Sequence, residues 1–170
     1  TAQSIIPVKD TPSNRSSSVL LRQRVLRYLK SVSVAFNVPS IEASSALYKK
    51  VGDQLAQKKI EECLEAMAVL TREHQGTVVK TIGDEIMCYF HQAEHAVDCA
   101  REIQQFLYQK SLNSDCPLFV RIGMHFGDAI LKDSDIFGDA VNTAARMASI
   151  ANGQQIVTTQ DTVNTLPDEL

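Results

Sequence analysis

The chain lacks any apolar run long enough to cross a bilayer, and its N-terminus lacks the charged-then-apolar pattern of a secretion signal. Together these absences predict a soluble, cytoplasmic protein that does not insert into membranes. It also lacks a long Lys/Arg block, and its formal net charge is −3. That leaves no electrostatic footprint for nucleic acid, so a polyanionic partner would need local help, for instance from a metal ion. There is no C-x-x-C pair: Cys63, Cys88, Cys99 and Cys116 are widely spaced. The spacing argues against a disulfide framework and for reduced, mostly buried thiols. No internal repeat is visible, and low complexity is confined to the N-terminal arm.

What is present is enough for one globular domain with a substantial core: 170 residues, 44% hydrophobic and 22% charged. Residues 1–18, with Pro7, Pro12, Asn14 and the run Ser16, Ser17, Ser18, read as a flexible arm or linker. Residues 19–30 (VLLRQRVLRYLK) have helix formers and read as a connecting helix, its arginines spread around the wheel rather than along one membrane-facing side. Residues 31–38 alternate with β-branched character and predict a strand that Pro39 ends. Ser44 or Ser45 can cap a helix through Lys50, and Asp53 can cap a longer one to about His74. Residues 93–108 repeat the helical period, and residues 118–126 and 129–131 read as a strand pair broken at Gly127-Asp128. A loop over 132–137, a helix over 138–150 and a strand over 155–159 complete the order. Strands and hairpins interspersed with helices suit an α+β domain, with a mixed or antiparallel sheet of about five to seven strands and helices largely on one face. The domain is placed at residues 31–170 and reads as excised from a longer protein.

Two stretches carry chemistry. The first, GTVVKTIGDEIMCYF at residues 76–90, is two β-prone runs folded about Gly83-Asp84. Such a hairpin places the Asp84 carboxylate at its tip and Lys80 on its first strand. The second, DIFGDAVNTAARM at residues 135–147, puts Asn142 and Arg146 one turn apart on a helix begun near Gly138. A neutral amide beside a fixed cation suits a sugar and a phosphate. Ala140, Val141, Ala144, Ala145 and Met147 supply the packing face, which leaves that polar pair available to a ligand.

Three ordered motifs carry a family resemblance: VVKTIGDE at 78–85, VRIGMHFG at 120–127 and DIFGDAVNTAAR at 135–146. With them, residues 31–159 resemble the catalytic domain of class III adenylate and guanylate cyclases. The resemblance implies a ferredoxin-like cyclase fold and conversion of a nucleoside triphosphate to a 3′,5′-cyclic monophosphate and pyrophosphate. It also implies Mg2+ or Mn2+ as cofactor and sites shared across a head-to-tail homodimer, or a heterodimer with another cyclase domain. By position, Asp84 resembles a metal-binding aspartate, Lys80 and Asp135 the base-reading pair, Asn142 the ribose-orienting amide and Arg146 the cation at the reacting phosphate. Lys is donor-only and ionised Asp acceptor-only, so Lys80 and Asp135 complement adenine and point to ATP rather than GTP.

One motif departs from the family. VPSIEASS at residues 38–45 falls where the family carries its other metal aspartate and a phosphate-binding glycine, so Ser40 replaces the aspartate and Ala43 the glycine. Glu42 shares strand parity with Ser40 and is the candidate substitute. The family's triphosphate-binding lysine has no counterpart before Leu170. Two functions therefore stand side by side: an adenylate cyclase with a weakened metal site, and an impaired cyclase-like module that dimerises, binds nucleotide and regulates an attached domain or a partner cyclase. Among other candidates, His91 and His95 have a metal-ligand spacing with no third ligand nearby, and His125 reads as structural. Asp128 and Asp139 read as turn and cap residues.

Overall fold

A computed structural model describes residues 3–4, 27–37, 49, 52–112, 114 and 117–167. Among these, seven strands form one mixed sheet: β1 (Gln3–Ser4), β2 (Arg27–Asn37), β3 (Thr77–Ile82), β4 (Glu85–Phe90), β5 (Arg121–Lys132), β6 (Asp135–Phe137) and β7 (Ile156–Thr158). The helices are α1 (Asp53–Glu73), α2 (Ala93–Leu112), α3 (Asp139–Ile150) and α4 (Gln160–Val163). The main strand order is β3-β4-β2-β5-β6, all antiparallel; β1 pairs with β2, and β7 adds to β5 in parallel.

Side-chain alternation divides the sheet into two faces. On one face Ile86, Cys88 and Phe90 of β4 and Ile122 and Met124 of β5 meet the apolar stripes of α1 and α2. Those stripes recur at helical spacing: Ile60, Cys63 and Met67 on α1, and Ala96, Ala100, Ile103 and Leu107 on α2. Asp53 in the first turn of α1 and Arg72 in its last complement the helix dipole. The opposite face carries Met87 and Tyr89 of β4 with Ala129 and Leu131 of β5, and Val141 of α3 packs there. The two long helices thus share one face, and α3 crosses the other over Gly123, where a Cβ would run into the backbone of Ala144 and Ala148. Only a residue without a side chain lets strand and helix approach so closely.

Several sequence expectations are corrected. Residues 27–30 are strand, not the end of a connecting helix: they pair with Asp128 to Leu131 of β5, and that non-local ladder overrides a helix-like local pattern. Residues 19–26 of the expected helix lie outside the described residues. In the expected arm, Gln3 and Ser4 pair with Tyr28 and Arg27, and the arm's other residues lie outside the described set. Asp53 is the first helical residue and no cap, since Gly52 occupies the N-cap position. Gly127-Asp128 is no turn; both residues continue β5, opposite Ser31 and Lys30. The chain reverses instead at Asp133-Ser134, so the expected loop over 132–137 is a hairpin ending in β6. Asp139 opens α3 as its first residue rather than capping it.

Candidate active site

Lys80 owes its direction to a bulge. Val78 pairs with Cys88 and packs into the core under α1 and α2, whereas Lys80 pairs with Met87, with Val79 as the extra residue between them. Residues directly opposite in a ladder point to the same side, so Lys80 follows Met87 to the α3 face. Without the bulge, Val78 and Lys80, two apart, would share a face.

Asp135 arrives from the other end of the sheet. Asp133 and Ser134 turn with φ of 51° and 65°, the left-handed geometry that suits the twist of a two-residue hairpin, and Asp135 opens β6. Its two carboxylate oxygens accept hydrogen bonds from Lys80 Nζ at 2.9 Å and 2.7 Å, and Oδ1 also accepts the Ile136 amide at 2.8 Å. The hydrogen bonds from Lys80, first, hold the carboxyl below its ordinary value; burial opposes them, and the Ile136 amide and the Lys80 charge add smaller lowering effects. Both side chains stay about one-third exposed, at 37% and 32%. An incoming group can therefore reach both a cation and an acceptor.

Asp84 stands at the turn between β3 and β4, next to Gly83, whose φ of 60° favours glycine. Its Oδ2 is buried and has no hydrogen-bond partner among the described residues. A buried carboxylate oxygen without a donor is costly, and a hard divalent cation is a natural partner for it. This orphaned oxygen fits the metal role that the sequence suggests. No cluster of three His, Cys, Asp or Glu side chains disposed to hold a metal occurs among the described residues. Ser40, Glu42 and Ala43 lie outside them.

Asn142 and Arg146 are exposed on α3, turned from the face on which Ala140, Ala144 and Ala148 are buried. Arg146 reaches Asp139 at 3.9 Å, but the two side chains are 70% and 87% exposed, so water screens the pair. Among the described residues, no hydrogen bond or ion pair joins Asn142 or Arg146 to Lys80, Asp84 or Asp135. The structure brings Lys80 and Asp135 together and leaves the other three candidates separate. His125 Nδ1 lies 2.7 Å from Thr159 Oγ1, which lies 3.1 Å from Thr162 Oγ1, and the Phe126 amide donates to that same Thr162 hydroxyl. This network ties β5 to α4. His91 meets the edge of the Tyr89 ring. Sequence reasoning missed the Val79 bulge, the Asp133-Ser134 turn and the Ile136 amide; only the turn left a trace, two small polar residues between β-prone runs.

A mixed sheet is thus backed by two long helices on one face and carries the Lys80–Asp135 pair and the helix bearing Asn142 and Arg146 on the other. Residues 26–170 match the adenylate and guanylate cyclase catalytic domain family, and the chain belongs to it. The adenylate/guanylate cyclase/hydrolase from Silicibacter pomeroyi is 30% identical, with a TM-score of 0.71 over 84% of this chain and 82% of that one. A bacterial light-regulated adenylyl cyclase shares the fold at a TM-score of 0.74 and 21% identity, over 85% of this chain and 47% of its own. The receptor-type adenylate cyclase A of Leishmania donovani is 28% identical over 162 residues, 71% of this chain but 12% of that protein's length. The chain therefore spans a small part of that relative. No helix among the described residues is long and apolar enough to cross a membrane.

Proposed function

We propose that the domain is an adenylate cyclase, converting ATP to 3′,5′-cyclic AMP and pyrophosphate in a head-to-tail dimer with a weakened metal site. The observation that carries this reading is the two-oxygen contact of Asp135 with Lys80. Adenine offers a ring-nitrogen acceptor and an exocyclic amino donor, which match an ammonium and a carboxylate held side by side. Guanine presents a carbonyl to Asp135 and a ring N–H to Lys80, and both are mismatched. Each subunit would bring Lys80 and Asp135 to the base, Asn142 to the ribose and Arg146 to the charge that grows on the α-phosphate, while Asp84 would be supplied across the interface. Asp84, with Ser40 or Glu42, would hold Mg2+ or Mn2+; when bound, the ion makes the ribose 3′-hydroxyl more acidic and stabilises the leaving pyrophosphate.

The second reading, a cyclase-like module that binds nucleotide and regulates an attached domain or a partner cyclase, is favoured by one observation. Ser40 stands where the family carries its other metal aspartate, and its neutral hydroxyl offers no charge to a divalent ion there. Competition binding of ATP and GTP tests the base assignment. ATP should displace a fluorescent nucleotide at lower concentration than GTP, and equal or reversed potency would remove it.

A further inference from the structure

On the other side of the sheet from the Lys80–Asp135 pair, the first half of α1 and the C-terminal end of α2 line a cleft of about 220 Å³. Its floor is apolar. Cys63 and Leu107 are 4% and 5% exposed, and Leu118 packs against the same core. Burial pushes the Cys63 thiol up to about 11, with Lys110 opposing, so the floor is uncharged at neutral pH.

The rim is cationic. Lys59 Nζ donates to Ser114 Oγ at a long 3.4 Å, leaving two of its three N–H groups for other acceptors. Lys110 Nζ lies 5.2 Å from the centroid of the Phe106 ring. Neither ammonium meets a carboxylate within ion-pair distance among the described residues. Nor is Lys110 needed by the carbonyls that end α2: the Ser111 hydroxyl donates to Tyr108 O at 2.7 Å, and the Ser114 amide to Ser111 O at 3.2 Å. Glu62 also lines the cleft, so the described lining carries two formal positive charges against one negative.

A lining with two cations to one carboxylate above an uncharged apolar floor favours an anion with an apolar body. A neutral apolar molecule would leave the ammonium groups unused, and a bare phosphate would leave the floor wet. We propose that this cleft binds a small carboxylate with a short hydrocarbon body, its carboxylate between Lys59 and Lys110 and its carbons against Cys63, Leu107 and Leu118. The cleft lies among the helices, on the side of the sheet opposite Lys80, so the proposal does not depend on the nucleotide reading.

Hexanoate is the probe, titrated into the 170-residue protein and followed by ¹⁵N–¹H correlation spectra. Saturable shifts are expected at the amides of Cys63, Leu107, Lys110 and Leu118, and none at Lys80 or Asp135. The double substitution of Lys59→Gln, half-buried, and Lys110→Gln, exposed, should keep the spectrum of the folded chain and weaken hexanoate about tenfold or more through loss of charge-assisted hydrogen bonds. The same double variant should leave weak binding of 1-hexanol unchanged. The proposal is overturned by absence of saturable shifts in this cleft, by 1-hexanol or inorganic phosphate binding as tightly as hexanoate, or by hexanoate affinity that survives the double substitution.

Discussion

Asp135 accepts three hydrogen bonds, two from one ammonium and one from the next amide, so its charged form is favoured in the folded chain. Because its folded value lies below the ordinary 3.8, the unfolded chain takes up the proton first as pH falls. The stability this group adds is therefore complete above the ordinary carboxylate value and is lost as pH falls through the lower, folded value. We expect Asp135→Asn to narrow its stability deficit relative to the unaltered chain as urea midpoints are compared from about pH 6 down to about pH 3. At neutral pH the deficit should be modest, about 0.5–1 kcal/mol, since water reaches both partners. A deficit independent of pH would show that the pair is not ionic. The thiols behave in the opposite sense. Burial pushes Cys63 to about 11 and Cys99 to about 12, and raises Cys88 as well. Above the ordinary thiol value of 9.0 the unfolded thiols ionise first, and stability falls as pH rises toward the folded values. At neutral pH iodoacetamide should leave all three unlabelled until urea unfolds the chain, as peptide mass mapping would show.

Local chemistry made some elements legible and hid others. The hairpin at Gly83-Asp84 was readable because glycine at φ 60° meets the turn's demand and the flanking runs are β-prone. The similar Gly127-Asp128 pair misled: β2 offers partners to every residue of β5 from Arg121 to Leu131, and that ladder holds the dipeptide extended. The true reversal, Asp133-Ser134, uses two left-handed residues without glycine, so its sequence trace is weaker than that of a glycine turn. Residues 27–30 were misread for the same reason, since helix periodicity was visible locally and strand pairing was not. The candidate residues stand out individually in their motifs, but the meeting of Lys80 with Asp135 requires the bulge at Val79, which no local pattern marks. The close approach of α3 to β5 supplies a test at this scale. Gly123→Ala places a methyl group against the backbone of Ala144 and Ala148, so α3 must shift. A loss of about 1–3 kcal/mol in urea unfolding is expected from overpacking of this kind. Asn142 and Arg146 ride on that helix, so nucleotide turnover should fall along with stability; an unchanged unfolding midpoint would contradict the packing.

Across the whole molecule the candidate groups divide by the roles proposed for them. Lys80 and Asp135, proposed for the base, meet on one face of the sheet, and Asn142 and Arg146, proposed for ribose and phosphate, project from the helix on that face. Asp84 stands apart at a hairpin tip, its Oδ2 buried and without a partner among the described residues. In the head-to-tail assembly proposed above, every site of a homodimer takes its metal from a subunit that carries Ser40. A neutral hydroxyl does not offset a divalent charge as a carboxylate does, so the base, ribose and phosphate contacts would be served while the metal is underheld. Ser40→Asp should then raise cyclic AMP formation, measured with Mn2+ and ATP, by about a hundredfold or more, the scale of restoring one strong electrostatic stabiliser. The same logic fixes a mixing experiment: a cyclase domain with both metal aspartates but without its own base-reading Lys and phosphate-facing Arg should regain activity when combined with this chain, through one complete site per heterodimer. Rescue in the mixture together with a nearly silent homodimer would favour the regulatory reading. If instead the unaltered homodimer turns over ATP as fast as Ser40→Asp, the metal argument fails, and Glu42→Gln becomes the variant that decides whether Glu42 serves in place of the missing aspartate.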